Sequence, residues 1–253
     1  MYQIKLTGIC LIMGYLSMCM LQNAPLFRVT SNEAVEAVVY DVREETMITG
    51  DTCIEELKTI RLETLKEKNE DVAGWIHIPD TKLSYPLMSG TEGNYYLTHN
   101  WEKIESFAGS ICIENLCSDD LTDFNTVIYG HRMKDGSMFA ALKYYDSMDF
   151  WESHPDVYIC DTNGVHRYEI FAAYEADLTG RTYQIGFADE EDKESFLQDC
   201  MGNSVISTGV IPTPEDRILT LSTCTGHGYD TRWVVQARKI VKVPSFTRKT
   251  IDT

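Results

Sequence analysis

Eight short runs of β-branched and aromatic residues, each bounded by turn-forming residues, constrain the fold of this chain more than any other feature. Such runs are typical of β-strands. Eight of them in one chain of this length favour a closed or nearly closed barrel. The predicted class is therefore mainly β, an eight-stranded barrel. In chain order the runs are GWIHIP, LSYPLM, GSICIE, NTVIYGH, DVYICD, HRYEIFAAYEA, RILTLSTC and RWVVQARKI.

Three other segments carry helical patterns. Residues 52–69, TCIEELKTIRLETLKEKN, repeat apolar side chains at helical spacing, and Asp51 or Thr52 is suited to cap them. One amphipathic helix lying on the barrel is predicted there. Shorter helices are predicted at residues 137–145 and 189–201. The second of these is inserted just before the last pair of strands.

The N-terminal segment differs in composition from the rest of the chain. Residues 6–27 contain no charged side chain, and about 20 apolar residues suffice to cross a bilayer. No small-x-small cleavage site follows the apolar core, which favours an uncleaved anchor over a cleaved signal peptide or a buried helix. The predicted organisation is an anchor or signal segment at 1–28, a polar linker at 29–51 and one folded domain at 52–253. The acidic remainder suits a location outside the cell membrane.

Charge and cysteine usage exclude several classes of partner. The chain has 22 basic and 39 acidic residues, a net charge of −17, and no basic stripe, which argues against binding nucleic acid. None of its eight cysteines forms a CxxC pair, and the pair in CIENLC lacks a matching His or Cys pair at zinc spacing. We therefore predict no metal and no other cofactor. Most of the thiols are predicted to be small buried hydrophobes.

Three residues stand at the ends of predicted strands, where a rigid strand can hold a catalytic group in an accessible place. Cys224 ends RILTLSTC, His131 ends NTVIYGH, and Arg232 begins RWVVQARKI. A thiol is nucleophilic as the thiolate and needs a proton acceptor or a cation nearby. If the first two strands are neighbours, the thiol and the imidazole meet at one end of the barrel. The loop TGHGYDT would return Arg232 beside Cys224, where its guanidinium suits a developing oxyanion.

Each of these residues, taken alone, also fits a structural role. A cysteine at a strand end is often packed in a core, a histidine is often a satisfied surface or core residue, and an arginine often forms a surface ion pair. The catalytic interpretation depends on the same strand ends holding all three.

TLSTC, RWVV and VIYGH together closely resemble the sortases, cysteine transpeptidases that attach proteins to Gram-positive cell walls. The resemblance spans roughly residues 69–243 and includes NEDVAGWIHIPDTKLSYPLMSG, NYYLTHNW, SFAGSI and NTVIYGHRMKDGSMFAALKYYD. These stretches, and the helix predicted before the last strand pair, are similar to class B sortases in particular.

The resemblance implies roles for the three residues. Cys224 matches the nucleophile, His131 its histidine partner, and Arg232 the arginine that supports substrate and oxyanion. By position, Leu97, Tyr183, Ser222 and Thr223 match a substrate groove. Two residues depart from the class B pattern: Arg132 stands where asparagine is frequent, and Thr225 where an acidic residue is common.

The resemblance also implies partners and a location. Class B members cleave a C-terminal sorting motif of secreted proteins, of the type Asn-Pro-x-Thr, after its threonine. A thioacyl enzyme forms, and an amine of a peptidoglycan precursor or cross-bridge releases it. The barrel would lie outside the cell, held to the membrane by residues 6–27. Two alternatives are a hydrolase that releases the sorting signal to water and a non-catalytic barrel that binds such signals.

Overall fold

The computed structural model describes residues 52–226 and 230–240, and within them eight strands close into a barrel. This confirms the predicted fold class. No helix in these two ranges is long and apolar enough to cross a bilayer, and the predicted anchor at residues 6–27 lies outside them. The strands are β1 (Val72–His77), β2 (Ser84–Met88), β3 (Ile111–Ile113), β4 (Asn125–Tyr129), β5 (Asp156–Asp161), β6 (Gly164–Asp177), β7 (Ile218–Cys224) and β8 (Thr231–Lys239).

Short helices connect and cover the strands. A helix that includes residues 53–57 precedes three further α-helices: α1 (Leu62–Lys68), α2 (Met148–Ser153) and α3 (Glu190–Asn203). Three 3₁₀ helices span Glu92–Leu97, Phe139–Asp146 and Arg181–Tyr183. The helix predicted at 137–145 is thus a 3₁₀ helix. The helix predicted at 189–201 is α3, and Asp189 caps it by accepting a hydrogen bond of 2.9 Å from the backbone N–H of Asp192.

The prediction of one continuous helix over residues 52–69 was wrong, because the chain breaks into two helices at residues 58–61. The first helix ends in a tighter turn, in which the N–H groups of Thr59 and Ile60 bond to carbonyls three residues earlier. The Thr59 hydroxyl also donates to the Glu56 carbonyl at 2.7 Å, so a side chain competes for a backbone acceptor. Arg61 then adopts φ −89° and ψ 82°, outside the helical region.

Strand order around the barrel is β1-β2-β3-β4-β7-β8-β6-β5. The pairs β2/β3 and β4/β7 are parallel, and the other six are antiparallel. As a result β7 lies between β4 and β8 and is buried along its length, except at its last residue. The condition set in the sequence analysis is therefore met, because β4, which ends just before His131, is a direct neighbour of β7, which ends at Cys224.

The two faces of β7 belong to two packed layers. Leu219 and Leu221 pack inside the barrel with the main core cluster. Ile218, on the other face, packs in a second cluster beneath α3 with Phe196 and Leu197 of that helix. Side chains therefore alternate between the two layers along β7, and both faces of the strand are covered.

Candidate active site at one end of the barrel

The strand register brings the three predicted catalytic residues to the same end of the sheet. Cys224 and Arg232 are direct cross-strand partners in the β7/β8 pair. In the parallel pair β4/β7, Tyr129 is opposite Ser222, so the same register continued by two residues places His131 beside Cys224. The three residues therefore stand at the ends of three adjacent strands, with Cys224 in the middle.

Two backbone-directed hydrogen bonds hold the segment leading to His131 against β7. The Gly130 N–H donates to the Ser222 carbonyl at 3.3 Å. The Thr223 hydroxyl donates to the Gly130 carbonyl at 2.7 Å. Gly130 directly precedes His131, and its partners Ser222 and Thr223 are the two residues that precede Cys224. The two bonds fix the spacing of His131 and Cys224.

The ring of His131 is oriented by a backbone carbonyl. Its Nε2 lies 2.8 Å from the carbonyl oxygen of Leu97. Because a carbonyl oxygen only accepts hydrogen bonds, Nε2 carries a proton in this contact. Nδ1 is then the ring nitrogen that can exchange a proton with a neighbouring group.

Cys224 differs from the other described cysteines in its exposure. It is exposed, whereas the remaining five in the described ranges are buried. Burial raises the pKa of Cys53, Cys117 and Cys200 to about 11, and that of Cys112 to about 12. These four thiols are therefore protonated at neutral pH and unreactive. Their burial agrees with the predicted role as small core residues.

Arg232 lies close enough to Tyr183 for its charge to act on that phenol. Burial raises the pKa of Tyr183, while a hydrogen bond with Ser222 and the positive charge of Arg232 oppose the rise. The Arg232 guanidinium also donates to the Thr231 carbonyl at 2.8 Å. The cation is thus held at the end of β8, next to its cross-strand partner Cys224.

A buried chain of polar side chains crosses four strands behind this end of the sheet. The Tyr174 hydroxyl donates to Gln236 at 3.1 Å, Gln236 donates to Thr220 at 2.9 Å, and Thr220 donates to Asn125 at 2.7 Å. The Asn125 amide in turn donates to the Gln184 carbonyl at 2.9 Å. These hydrogen bonds fix β4, β7, β8 and β6 relative to one another. They also hold the segment that follows the 3₁₀ helix Arg181–Tyr183.

These supporting residues were missed by the sequence interpretation. A signal was present in the sequence, because Gln236 interrupts the run WVVQAR and Asn125 begins the strand NTVIY. Buried polar side chains require partners. Those partners come from distant parts of the chain, so their identity could not be read locally.

The four predicted groove residues differ in their contacts and in their burial. Leu97 contacts His131 through its carbonyl. The hydroxyls of Tyr183 and Ser222 share a hydrogen bond of 3.0 Å, and Tyr183 is partly buried. The side chains of Ser222 and Thr223 are both only 2% exposed, so the structure assigns them internal contacts.

The two departures noted in the sequence contact each other. The Arg132 guanidinium donates to the carbonyl oxygen of Thr225. Arg132 directly follows His131, and Thr225 directly follows Cys224. The bond therefore links the two chain segments that leave the candidate site.

Comparison with known proteins agrees with this geometry. A family model described as "Sortase domain" matches residues 76–240. Sortase B of Listeria monocytogenes is 38% identical over 185 residues, which cover 72% of this chain and 74% of that protein. The structure of Clostridium perfringens sortase B matches with a TM-score of 0.67 at 30% identity, covering 72% of this chain and 100% of the other.

A Staphylococcus aureus sortase B–substrate complex matches with a TM-score of 0.69 at 28% identity, covering 83% of this chain and 100% of the other. The family match spans most of the described barrel, and the sequence relative and the structures share the class B description. The chain therefore belongs to the sortase family, in class B, and is a cysteine transpeptidase.

Proposed function

We propose that this sortase cleaves a sorting motif of the Asn-Pro-x-Thr type after its threonine, with Cys224 as nucleophile, His131 as proton partner and Arg232 as oxyanion donor. The observation that carries the assignment is the register. It sets these three residues at the ends of three adjacent strands, with the exposed Cys224 on the middle strand.

The proposed first step is acylation of the thiol. The Cys224 thiolate attacks the threonine carbonyl carbon, and the carbonyl oxygen gains negative charge. Arg232 is suited to stabilise that charge, because a guanidinium stays protonated and offers a rigid fork of donors. His131 donates a proton to the departing amine, and the C–N bond breaks to leave a thioester. The Leu97 carbonyl acts as a positioning group for the His131 ring.

The insertion before the last strand pair supports the side of the groove that carries Tyr183. Arg181, in the same turn, forms ion pairs with Asp192 at 2.6 Å and Asp199 at 3.2 Å on α3. Tyr183 is thereby tied to the helix on one side and to Ser222 on the other. We propose that α3 sets the position of the groove wall and so contributes to motif preference.

In the proposed second step, an amine of peptidoglycan attacks the thioester and releases the joined product. Such an acceptor is available only outside the cytoplasmic membrane. We therefore also propose that residues 6–27 anchor the enzyme with its barrel outside. Protease added to intact, wall-stripped cells should then digest the barrel, and carbonate should fail to extract the protein. Protection of the barrel in intact cells would contradict this topology.

The proposal is tested with fluorogenic peptides that carry Asn-Pro-x-Thr motifs, with and without hydroxylamine as a small acceptor. Cleavage with hydroxamate formation is expected, and loss of both in Cys224→Ala and in His131→Ala. Cleavage that persists in Cys224→Ala would refute the nucleophile assignment. Cleavage to the free acid even with saturating acceptor would instead favour the hydrolase.

A thiol-labelling experiment tests the nucleophile independently of any substrate. Because the other five described cysteines are buried, a haloacetamide probe at neutral pH should modify Cys224 first. Peptide mapping by mass spectrometry identifies the modified residue. Faster labelling of Cys53 or Cys160 would contradict the assignment.

A further inference from the structure

A cavity of about 310 Å³ lies between the end of β6 and the helix α3. The last four residues of β6 line it, together with Gly180–Thr182 and four residues on one face of α3. None of the three candidate catalytic residues belongs to this lining. The cavity is therefore separate from the site at the ends of β4, β7 and β8.

Among the described residues, the edge of β6 along this cavity has no partner strand. β5 pairs with β6 only through residues 164–169, whereas β8 pairs with the opposite edge as far as Asp177. A connecting segment covers the next part of the free edge. The Ser204 hydroxyl accepts a hydrogen bond of 3.1 Å from the Ala173 N–H, and the Val205 N–H donates to the Ala173 carbonyl at 2.9 Å. This cover ends before Glu175.

The bonds of Ala173 and Leu178 show which way the Glu175 backbone points. Both backbone polar groups of Ala173 bond away from β8, whereas the Leu178 N–H bonds towards it, to the Asp230 carbonyl at 3.2 Å. Successive residues of an antiparallel strand alternate in this respect, so the N–H and C=O of Glu175 point away from β8. In the part of the chain that the structure describes, no hydrogen bond outside the β6/β8 ladder engages them.

The rim of the cavity carries an excess of negative charge. Glu175, Asp177 and Asp199 line it, and Arg181 is the one cationic residue of the lining. Arg181 already pairs with Asp199 at 3.2 Å and with Asp192 at 2.6 Å. No cation of residues 52–226 and 230–240 forms an ion pair within 4.0 Å of the Glu175 or Asp177 carboxylate.

One oxygen of each of these two carboxylates is held by a threonine. The Thr231 hydroxyl donates to Oε1 of Glu175, and the N–H and hydroxyl of Thr179 both donate to Oδ1 of Asp177 at 2.8 Å. These bonds orient the carboxylates and leave the second oxygen of each for a cationic donor.

The other face of β6 gives the cavity an apolar floor. Successive side chains of a strand point to opposite faces, so Tyr174 and Ala176 lie opposite Glu175 and Asp177. They pack in one cluster with Phe196 of α3, and all three of these side chains are at most 4% exposed. A strand placed beside this edge would therefore meet an apolar surface on one face and carboxylates on the other.

We propose that this cavity is a docking site for an extended segment of a partner protein in which apolar and basic residues alternate. The segment adds to β6 as an antiparallel strand, and one basic residue exchanges both backbone hydrogen bonds with Glu175. Directly paired residues share a face. The lysine or arginine side chain therefore reaches the Glu175 and Asp177 carboxylates, and its apolar neighbours contact Tyr174 and Ala176.

Charge favours a basic partner over a second copy of this chain. Two β6 edges paired with each other would set the Glu175 and Asp177 carboxylates of one copy beside those of the other, and like charges at paired positions destabilise a sheet. Charged side chains also protect an exposed edge from self-association. The net charge of −17 adds a general attraction for a basic partner.

The test measures binding of short peptides, labelled with fluorescein, to the purified full-length chain by fluorescence anisotropy. The probe is VKVKV. VEVEV reverses its charge, and KKVVV keeps its composition without the alternation. Two further versions of VKVKV carry backbone N-methyl groups, either on both lysines or on the central valine.

VKVKV is expected to bind about tenfold more tightly than VEVEV or KKVVV, because these peptides cannot place basic side chains on one face and apolar side chains on the other. Methylation of both lysine nitrogens removes the N–H that donates to the Glu175 carbonyl and should weaken binding by about tenfold. The valine N–H points away from β6, so the valine-methylated peptide should bind like the unmodified one. Equal losses for the two methylated peptides would overturn the strand pairing.

Hydrogen exchange, followed by NMR, locates the bound peptide. Saturating VKVKV should slow exchange of the Glu175 amide by about tenfold or more, because its N–H gains an acceptor. The Ala176 amide, which bonds within the β6/β8 ladder, is the internal control and should change little. Unchanged exchange at Glu175 would overturn the site.

Charge variants test the rim of the cavity. Glu175→Gln and Asp177→Asn each keep an oxygen that accepts from threonine, and each should weaken VKVKV binding by about two- to fivefold. Glu194→Gln changes an exposed residue of α3 outside the lining and is the matched control, which should preserve the affinity. Equal effects of the three variants would contradict a role for the rim carboxylates.

All of these measurements record binding and not cleavage, so their outcome does not depend on the proposed function. Equal affinities for VKVKV and KKVVV would show attraction by charge alone and overturn the docking site. Probe binding that occurs only in a chain ended at residue 240 would assign the edge to residues 241–253, which carry the same alternation in VKV at 241–243, and would overturn the partner.

Discussion

Replacement of Gly130 by alanine tests whether the spacing of His131 and Cys224 depends on close packing behind them. A Cβ at this position would lie 2.8 Å from two ring atoms of Phe139 and 3.3 Å from Ile111. Phe139 is fully buried in the barrel core, so its ring has little room to move. The strain must be relieved by a shift of the core or of the Gly130 backbone.

Gly130→Ala is expected to lower both the stability of the fold and the turnover. One added methyl in a packed core destabilises by about 1–3 kcal/mol, and about 2 kcal/mol lowers the melting temperature by roughly 4–8 °C in a domain of this size. The Gly130 carbonyl and N–H hold the register with Thr223 and Ser222. A shift of about 1 Å there would misplace His131, and turnover should fall by about 100-fold.

The assay measures thermal unfolding and peptide cleavage on the same purified variants. Gly202→Ala is the matched control, because a Cβ there meets nothing within 4 Å. Adding Phe139→Leu to Gly130→Ala removes part of the opposing ring, so the double variant should lose less stability than the two single losses combined. Wild-type melting temperature and turnover in Gly130→Ala would refute the packing argument.

Three further substitutions probe the site and its support. Arg232→Lys keeps the charge but loses the planar fork, so turnover should fall by about 100-fold at an unchanged melting temperature; near-normal turnover would exclude a directional role. Asn125→Ala removes the acceptor of the buried Thr220 hydroxyl. The free energy of unfolding, measured in urea, should fall by about 1–3 kcal/mol. A decrease below about 0.5 kcal/mol would contradict a stabilising role for the hydrogen-bond network. The Tyr96 hydroxyl, with Lys103, lowers the pKa of Asp71 below its usual 3.8. A carboxyl whose pKa is lower in the folded state stabilises the fold at pH values above its unfolded pKa, and this contribution is lost as the pH falls through the folded pKa. The free energy of unfolding in urea should therefore drop less between pH 6 and pH 3 in Asp71→Asn than in the wild type. Equal drops would argue against a lowered pKa of Asp71.

Local patterns of the sequence were sufficient to predict the eight strands. Each of the eight runs overlaps a different strand of the barrel. The reason is that alternation and β-branched residues favour the extended conformation in the residues that carry them. The inserted helix α3 was also predicted, at residues 189–201, whereas its cap Asp189 was not. The break at residues 58–61 was not, since Thr59 has a local alternative to the helix that apolar spacing does not reveal.

The candidate site was predictable only as three residues at strand ends. Cys224, His131 and Arg232 were selected by residue type and position, and their proximity depended on β4 and β7 being neighbours. That adjacency joins residues far apart in the chain. The burial of Ser222 and Thr223 likewise follows from the layers on both faces of β7, which no local pattern specifies.

Local patterns in the sequence identified the strands, the residues that carry the chemistry and the family that the chain resembles. They did not reveal the strand order or the buried hydrogen-bond network from Tyr174 to Asn125. Strand conformation depends on neighbouring side chains and is therefore legible locally. Strand pairing and cavities instead depend on contacts between residues distant in the chain, whose partners are selected when the whole barrel closes.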